Sequence, residues 1–359
     1  MGTTLQQILG GRQLTGTIQM IKSGLPDVLP PGMFNVTERV EGNTCTYRRV
    51  RTTRQPARFT TFGSPGRKRS TSDVGELPVK LLHVKEEMDF AASTLVNIES
   101  TDGVKQRLGE QEVARQLAES RQLLDNGRYA STLSMLGRGG LIDVNANGDL
   151  LPDTTGSVYQ VNMSIGANNL NQLNGIIGTT WATDTTDILG DLRAIHEAAA
   201  QTTGFPLKHA IYGANIPEYL ATNDTIGETF IRAASMQQPL IGGVIPAGVG
   251  GLTWWPGYMG FYNDSADAVV SPIGDDTIVF LPDISPEWWG FVEGSAPIPR
   301  GLGIAADATA MMSQIELAQG MFSYAFMYPH SVTATHVYGD TYLPLLKTPD
   351  AVFVADVTP

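Results

Sequence analysis

Asp143, Asn145, Asn147 and Asp149 place oxygen donors at alternate positions around Gly148, the pattern of the first half of a calcium-binding loop. The twelfth position, where such a loop carries a bidentate glutamate, is Thr154, with Asp153 one residue early. The same residues also suit a β-hairpin closed by an Asn147-Gly148 turn and flanked by Leu141, Ile142, Leu150 and Leu151. The sequence favours the hairpin, and no metal site is expected. His196-Glu197 begins like a zinc-protease helix, but Ala200 stands where the second histidine is needed one turn on. The five histidines, His83, His196, His209, His330 and His336, show no metal-ligand spacing. Cys45 is the one cysteine, so the chain has no internal disulfide, and its expected role is that of an inert, buried thiol.

Gly242 to Gly251 is glycine-dense but lacks the Lys-Ser/Thr that completes a phosphate loop, and it reads as a flexible surface loop. No G-x-S-x-G elbow supports a serine hydrolase. The pairs Trp254-Trp255 and Trp288-Trp289 could stack on sugars. In strands, however, adjacent residues face opposite ways, so each pair is expected to give one core ring and one surface ring. No catalytic residue and no cofactor is expected.

The strongest charge feature lies elsewhere. Between Glu41 and Asp73 stand Arg48, Arg49, Arg51, Arg54, Arg58, Arg67, Lys68 and Arg69 without one carboxylate, in a chain of net charge −12. Burying such a set without partners would cost several kcal/mol per ion, on the order of the desolvation penalty, so it must face outward toward something negative. Tyr47, Phe59 and Phe62 lie among these cations, as in a nucleic-acid surface. The acidic chain, with pI near 4.8, favours a second copy of itself as the partner. These eight cations are the candidate inter-subunit contact residues.

At 359 residues the chain can hold two or three domains with sizeable cores. It shows no signal peptide and no apolar run long enough to span a membrane, so a cytoplasmic protein is expected. Residues 1–40, with the breakers Pro30, Pro31 and Gly32, read as an extended arm with a short helix at Leu5–Leu9. Residues 41–88 read as a two-stranded excursion: Thr46–Val50, Arg58–Phe62, a turn at Gly63-Ser64-Pro65-Gly66, and a return strand Val79–Val84.

A long helix follows, capped by Asp102, with Val104, Leu108, Val113, Leu117 and Leu124 on its apolar side. Glu112, Arg115 and Glu119 can pair on its wet side. Asn126-Gly127 is expected to end or interrupt it before a second piece, Arg128–Leu136. Thr186–Thr203 is the clearest helix, with Ile188, Leu192, Ile195 and Ala199 in one stripe and Gly204 as its stop. Then come a strand Leu207–Tyr212, a helix opened by Pro217, and strands at Leu252–Trp255, Thr277–Leu281, Trp288–Val292 and Val332–Val337. Met311–Met327 suits helix and strand equally.

The stretch Trp181 to Ile195, with Asp184, Asp187-Ile188 and Asp191, resembles the tryptophan, acidic loop and helix of the lambda-type E capsid proteins. Their following strand and helix are similar to Lys208–Leu220, and their closing strands to Tyr338–Ala351. The order of parts along nearly the whole chain resembles this group of tailed-phage major capsid proteins, which have the HK97-like fold.

The resemblance implies an α+β chain. It would have an N-terminal arm (1–40), an extended β-hairpin loop lying over a neighbour (41–88) and a peripheral domain with a spine helix (89–180). A mixed α/β axial domain (181–285) and returning strands (286–359) would complete it. It further implies a structural, non-enzymatic subunit that forms pentamers and hexamers around double-stranded DNA, packaged without sequence recognition. The implied partners are a portal protein, a decoration protein in some relatives, and a separate scaffolding protein, since the arm begins almost at Met1. Assembly would take place in a host cytoplasm and the product would be the virion. Some relatives crosslink a loop lysine to an asparagine. Lys68 stands near the loop tip, but neither the asparagine nor the catalytic acid is matched. Two other functions compete with this one: the shell of a cellular nanocompartment, and an acidic hydrolase or glycan-binding protein built on the tryptophan pairs.

Overall fold

The computed structural model describes residues 8–22, 29–50, 74–151, 155–163, 177, 179–226, 244–246, 248–263, 267–299, 303–304, 315–327 and 333–358. Its longest strand, Ala334–Leu346, is buried at all 13 positions. Leu82–Phe90 pairs with it antiparallel from Tyr342 to Ala334, Phe322–Met327 along Ala334–Gly339, and Trp289–Glu293 along Tyr342–Leu346. Short parallel additions at Glu38–Arg39 and Gly303–Ile304 complete a six-stranded sheet. A strand covered this fully carries polar residues only where each finds a partner, and Thr335, His336, Asp340 and Thr341 all do.

Across the sheet lies a 35-residue helix, Gly103–Gly137, opened by Asp102, whose carboxylate accepts the Val104 N–H at 3.0 Å. Asn126-Gly127 does not interrupt it. Gly127 faces the Tyr342 hydroxyl, where a Cβ would stand at an ordinary contact distance of 3.7 Å, and it keeps the helical conformation. Val113, Leu117 and Leu124 are buried as the stripe predicts, but Val104 and Leu108 are 69% and 53% exposed. Arg115 bonds Glu112 at 2.7 Å and Glu119 at 3.3 Å on the wet side.

The arm is not wholly extended. Gly11–Met20 is a helix docked on Phe322–Met327, where Thr15 Oγ1 donates to the Ser323 carbonyl at 2.7 Å and accepts the Ser323 N–H at 3.0 Å. The expected helix at Leu5–Leu9 lies largely outside the described residues.

A second sheet has the order Phe353–Asp356, Thr277–Pro282, Leu207–Tyr212, Thr253–Pro256. It is the wall between two cores, and the period-two alternation of its strands divides them. Ile278, Phe280, Ala210, Tyr212, Phe353 and Ala355 face a core with Trp181, Ile188, Leu192, Ile195 and Ala199. Val279, Leu281, Ile211 and Val354 face the larger core shared with the long helix and the six-stranded sheet. The helix Ile188–Thr202 begins at Asp187, which accepts the Gly190 N–H, and stops before Gly204 at φ 80°.

Four other expectations are corrected. The return strand is Val74–Lys80, and a new strand starts at Leu82, with the buried Leu81 between them as the pivot. The strand expected at Val332–Val337 begins at Ala334 among the described residues and runs on to Leu346. Ile315–Gln319 and Phe322–Met327 are strands separated by Gly320 at φ 65°, so the described part of the ambiguous segment is strand, and residues 311–314 lie outside the described ones. The described part of the glycine-rich stretch is anchored at points: Ile245 and Val249 are buried in the second core, and a Cβ on Gly250 would meet Leu192 at 2.7 Å, while Val244, Gly248 and Gly251 are exposed.

Candidate functional site

The cation-rich excursion grows from a two-stranded ribbon, Thr44–Val50 against Val74–Lys80, with Arg48 opposite Glu76 and Arg49 opposite Gly75. Its root is fixed to the larger core. Cys45 and Tyr47 are buried there, the Tyr47 hydroxyl donates to the Leu346 carbonyl, and the Tyr159 hydroxyl donates to the Lys80 carbonyl. Burial raises the Cys45 thiol pKa, as expected of an inert thiol. The ribbon therefore leaves the body from an anchored base. Arg51, Arg54, Arg58, Arg67, Lys68 and Arg69 lie outside the described residues, as do the expected strand Arg58–Phe62 and its turn.

The Asn147-Gly148 turn is present, with Gly148 at φ 94°, the Asn145 N–H on the Asp149 carbonyl at 3.0 Å, and a bridge between Val144 and Leu150. The longer partner of Leu141–Val144, however, is Tyr159–Asn162. Asp143 faces inward to Arg138 at 2.6 Å and Gln160 at 2.9 Å. Burial works against its charge, and hydrogen bonds from Ser157, Arg138 and Gln160 outweigh it, holding the carboxyl below its ordinary range. That carboxylate is a fully buried ion-pair partner.

The tryptophans are structural. Trp288 and Trp289 are both buried, against expectation, because Trp288 precedes the strand in a turn and escapes the alternation. Their indole N–H groups donate to the Asp283 and Met33 carbonyls at 2.8 Å each. Trp254 is buried and Trp255 is half-buried, its N–H on His209 Nδ1 at 3.2 Å. His196 meets the Gly250 carbonyl at 3.0 Å and so ties the helix to that loop, while Glu197 takes a bond from Gln201 within its own helix.

Two polar clusters were not anticipated. Arg128 donates to both carboxylate oxygens of Asp340, at 2.5 and 2.9 Å, and to Glu293 at 3.1 Å, with its guanidinium over Phe291 and Tyr342. Burial opposes its charge, but Asp340 and Glu293 prevail and raise its pKa. One signal was available: Arg128 follows Leu117 and Leu124 on the same helix stripe. The second cluster joins Ser323 Oγ and His336 Nε2 at 2.6 Å. It resembles a nucleophile–base pair, yet both residues are fully buried and His336 Nδ1 has no partner to orient it, so the pair is a core contact. Among the described residues, no group of three or more His, Cys, Asp or Glu side chains could hold a metal, and no helix is long and apolar enough to cross a membrane.

The arrangement is that of a two-stranded ribbon anchored at its root in the larger core, with no accessible set of reacting groups among the described residues. The sequence model of one family, described as phage major capsid protein E, matches residues 11–297. No curated protein matches the chain. A solved structure described as the capsid protein of a prophage of E. coli CFT073 is similar at TM-score 0.50 and 14% identity, with 79% of each chain covered. A phage-related protein of Bordetella bronchiseptica RB50 is similar at TM-score 0.49 and 10% identity over 97% of each chain. An encapsulin complex of Synechococcus elongatus PCC 7942 has TM-score 0.41 and 12% identity, over 96% of this chain and 94% of that one.

Proposed function

The chain belongs to the phage major capsid protein E family, and from that premise we propose how its parts build a shell. It is a structural subunit of a capsid and has the HK97-like fold. The family match favours a phage capsid over the nanocompartment shell and supports a structural role over a hydrolase or glycan-binding protein. In our proposal the subunits form pentamers and hexamers. Residues 41–88 lie over a neighbour, and Arg48, Arg49, Arg51, Arg54, Arg58, Arg67, Lys68 and Arg69 meet acidic surface there. The anchored ribbon root and the net charge of −12 support this reading. Residues 89–180 form the peripheral domain and 181–285 the axial domain, with 286–359 returning through both. The division of the second sheet between two cores supports that partition.

The proposed partners are a separate scaffolding protein, a portal protein, a decoration protein, and packaged double-stranded DNA held without sequence recognition. Assembly is proposed in the host cytoplasm, with the virion as destination. The family match is the single observation that carries this reading. Negative-stain imaging of the purified chain tests it: rings or closed shells are expected, and a field of isolated single subunits would overturn it.

A further inference from the structure

We propose that a cleft beneath the N-terminal helix receives an acidic segment from a second copy of this chain. The inference rests on the capsid reading and names a contact outside the cationic loop. The cleft holds about 540 Å³ between the helix Gly11–Met20, the long helix and the ribbon Ser295–Pro299/Ile315–Gln319. Arg12, Thr15, Gly16 and Gln19 form its upper wall at i, i+3, i+4 and i+7, one face of the N-terminal helix.

Two glycines of that helix show how the space arises. A Cβ on Gly11 would fall 2.1 Å from the Pro299 carbonyl oxygen, so the helix touches the ribbon there. A Cβ on Gly16 would meet nothing within 4 Å, so the cleft is open at that position of the helix. Gln19 closes the far end by donating to the Gln319 and Met321 carbonyls at 3.0 and 2.7 Å.

The charges are arranged to receive a carboxylate. Arg121 and Arg128 line the cleft; Asp125 and Asp340, which hold them from behind, do not, while Glu293, which also bonds Arg128, does. At the mouth, Arg39 is 63% exposed and only loosely paired, 3.6 Å from Glu293. Arg12 is exposed and has no ion pair among the described residues. Glu293 and Glu316 also line the cleft. A polyphosphate chain would meet both as like charges, whereas a polypeptide can set one carboxylate beside Arg12 and Arg39 and apolar atoms against Leu317, itself 57% exposed. The chain carries 36 acidic against 24 basic residues, so its own surface supplies such segments, and in a shell of identical subunits another copy is always adjacent.

The test places a photo-crosslinking amino acid at position 16 of the full chain, where the side chain has room. Particles are assembled from an equal mixture of isotope-labelled and unlabelled subunits. We expect crosslinked peptides joining labelled to unlabelled copies at an Asp- or Glu-bearing segment. We also expect the double variant Arg12→Gln, Arg39→Gln to lower the crosslinked fraction about threefold or more at physiological salt, as two weak ion pairs would. Both positions are exposed, so the variant's thermal unfolding should match the parent's, which separates a lost contact from a lost fold. Crosslinks only within one copy, to a different protein or to DNA, or no crosslinks in well-formed particles, would overturn this inference and leave the capsid reading intact. No particles from the unsubstituted chain would overturn both.

Discussion

Arg128 on the long helix and Asp340 on the central strand, 212 residues apart in sequence, meet through two hydrogen bonds of 2.5 and 2.9 Å inside the sheet–helix interface. The Asp340 side chain is fully buried, so removing its cation leaves an uncompensated charge in the core. Arg128→Met should therefore cost about 3–5 kcal/mol. Arg128→Met combined with Asp340→Asn should cost less than the sum of the single changes. Urea denaturation of the four proteins measures the coupling, and strict additivity would contradict a direct pair.

His336 should make the subunit acid-sensitive. Burial lowers its pKa from 6.5 to about 4 in the folded state. Above pH 6.5 the ring is neutral in both states and its contribution is fully present. Between pH 6.5 and about 4 the unfolded chain takes up a proton that the folded chain refuses, so stability falls as pH falls through that window. The loss approaches about 3 kcal/mol at pH 4. Urea midpoints at pH 7 and pH 4.5 should converge less for the parent than for His336→Gln, which lacks this proton. Equal pH dependence in the two proteins would refute the assignment.

The parts legible in the sequence were those whose determinants are local. The stripe Ile188, Leu192, Ile195 and Ala199 with Gly204 behind it is buried as read, and Asp102 caps the helix it was expected to cap. Errors arose where distant contacts override a local signal. Asn126-Gly127 looks like a helix end, but Gly127 lies against Tyr342, more than two hundred positions away, and Arg128 is pinned to Asp340. Trp288 is buried by a turn that alternation cannot foresee. The helix Gly11–Met20 is stabilised by Ser323 and Gln319, and nothing nearby in sequence announces them. For the candidate site, the cationic stretch was plain from charge alone, while the cleft, built from residues 12 to 321, was not.

In the second core, Leu192→Ala should cost about 2–5 kcal/mol and lower soluble yield. Its side chain fills the space against Gly250, where the backbone is held at φ 62°. Glu197→Gln should stay within about 0.5 kcal/mol of the parent, since the residue is exposed and its recorded bond is to Gln201. Thermal unfolding of both variants checks the contrast. A loss of assembly in folded Glu197→Gln would point to a function on that helix face.

The loop at Asp143–Asp149 should bind calcium no tighter than about 10⁻⁴ M, the weak end for such loops. Asp143 is committed to Arg138 and Gln160. Calorimetric titration of the full chain provides the measurement. Micromolar affinity that disappears in Asp143→Ala would contradict the structural role given to this carboxylate.

Sedimentation velocity at neutral pH and physiological salt tests most directly the claim that this chain is a shell subunit assembled through its cationic loop. The parent should sediment as rings or megadalton particles rather than as the 38.6 kDa chain. The triple variant Arg48→Ser, Arg49→Ser, Arg51→Ser should keep its thermal unfolding and shift toward single subunits. Each exposed pair is worth only about 0–1 kcal/mol, but the contact repeats around every ring. A parent that stays a monomer at every concentration would contradict the shell. A triple variant that assembles as well as the parent would contradict the role of the loop.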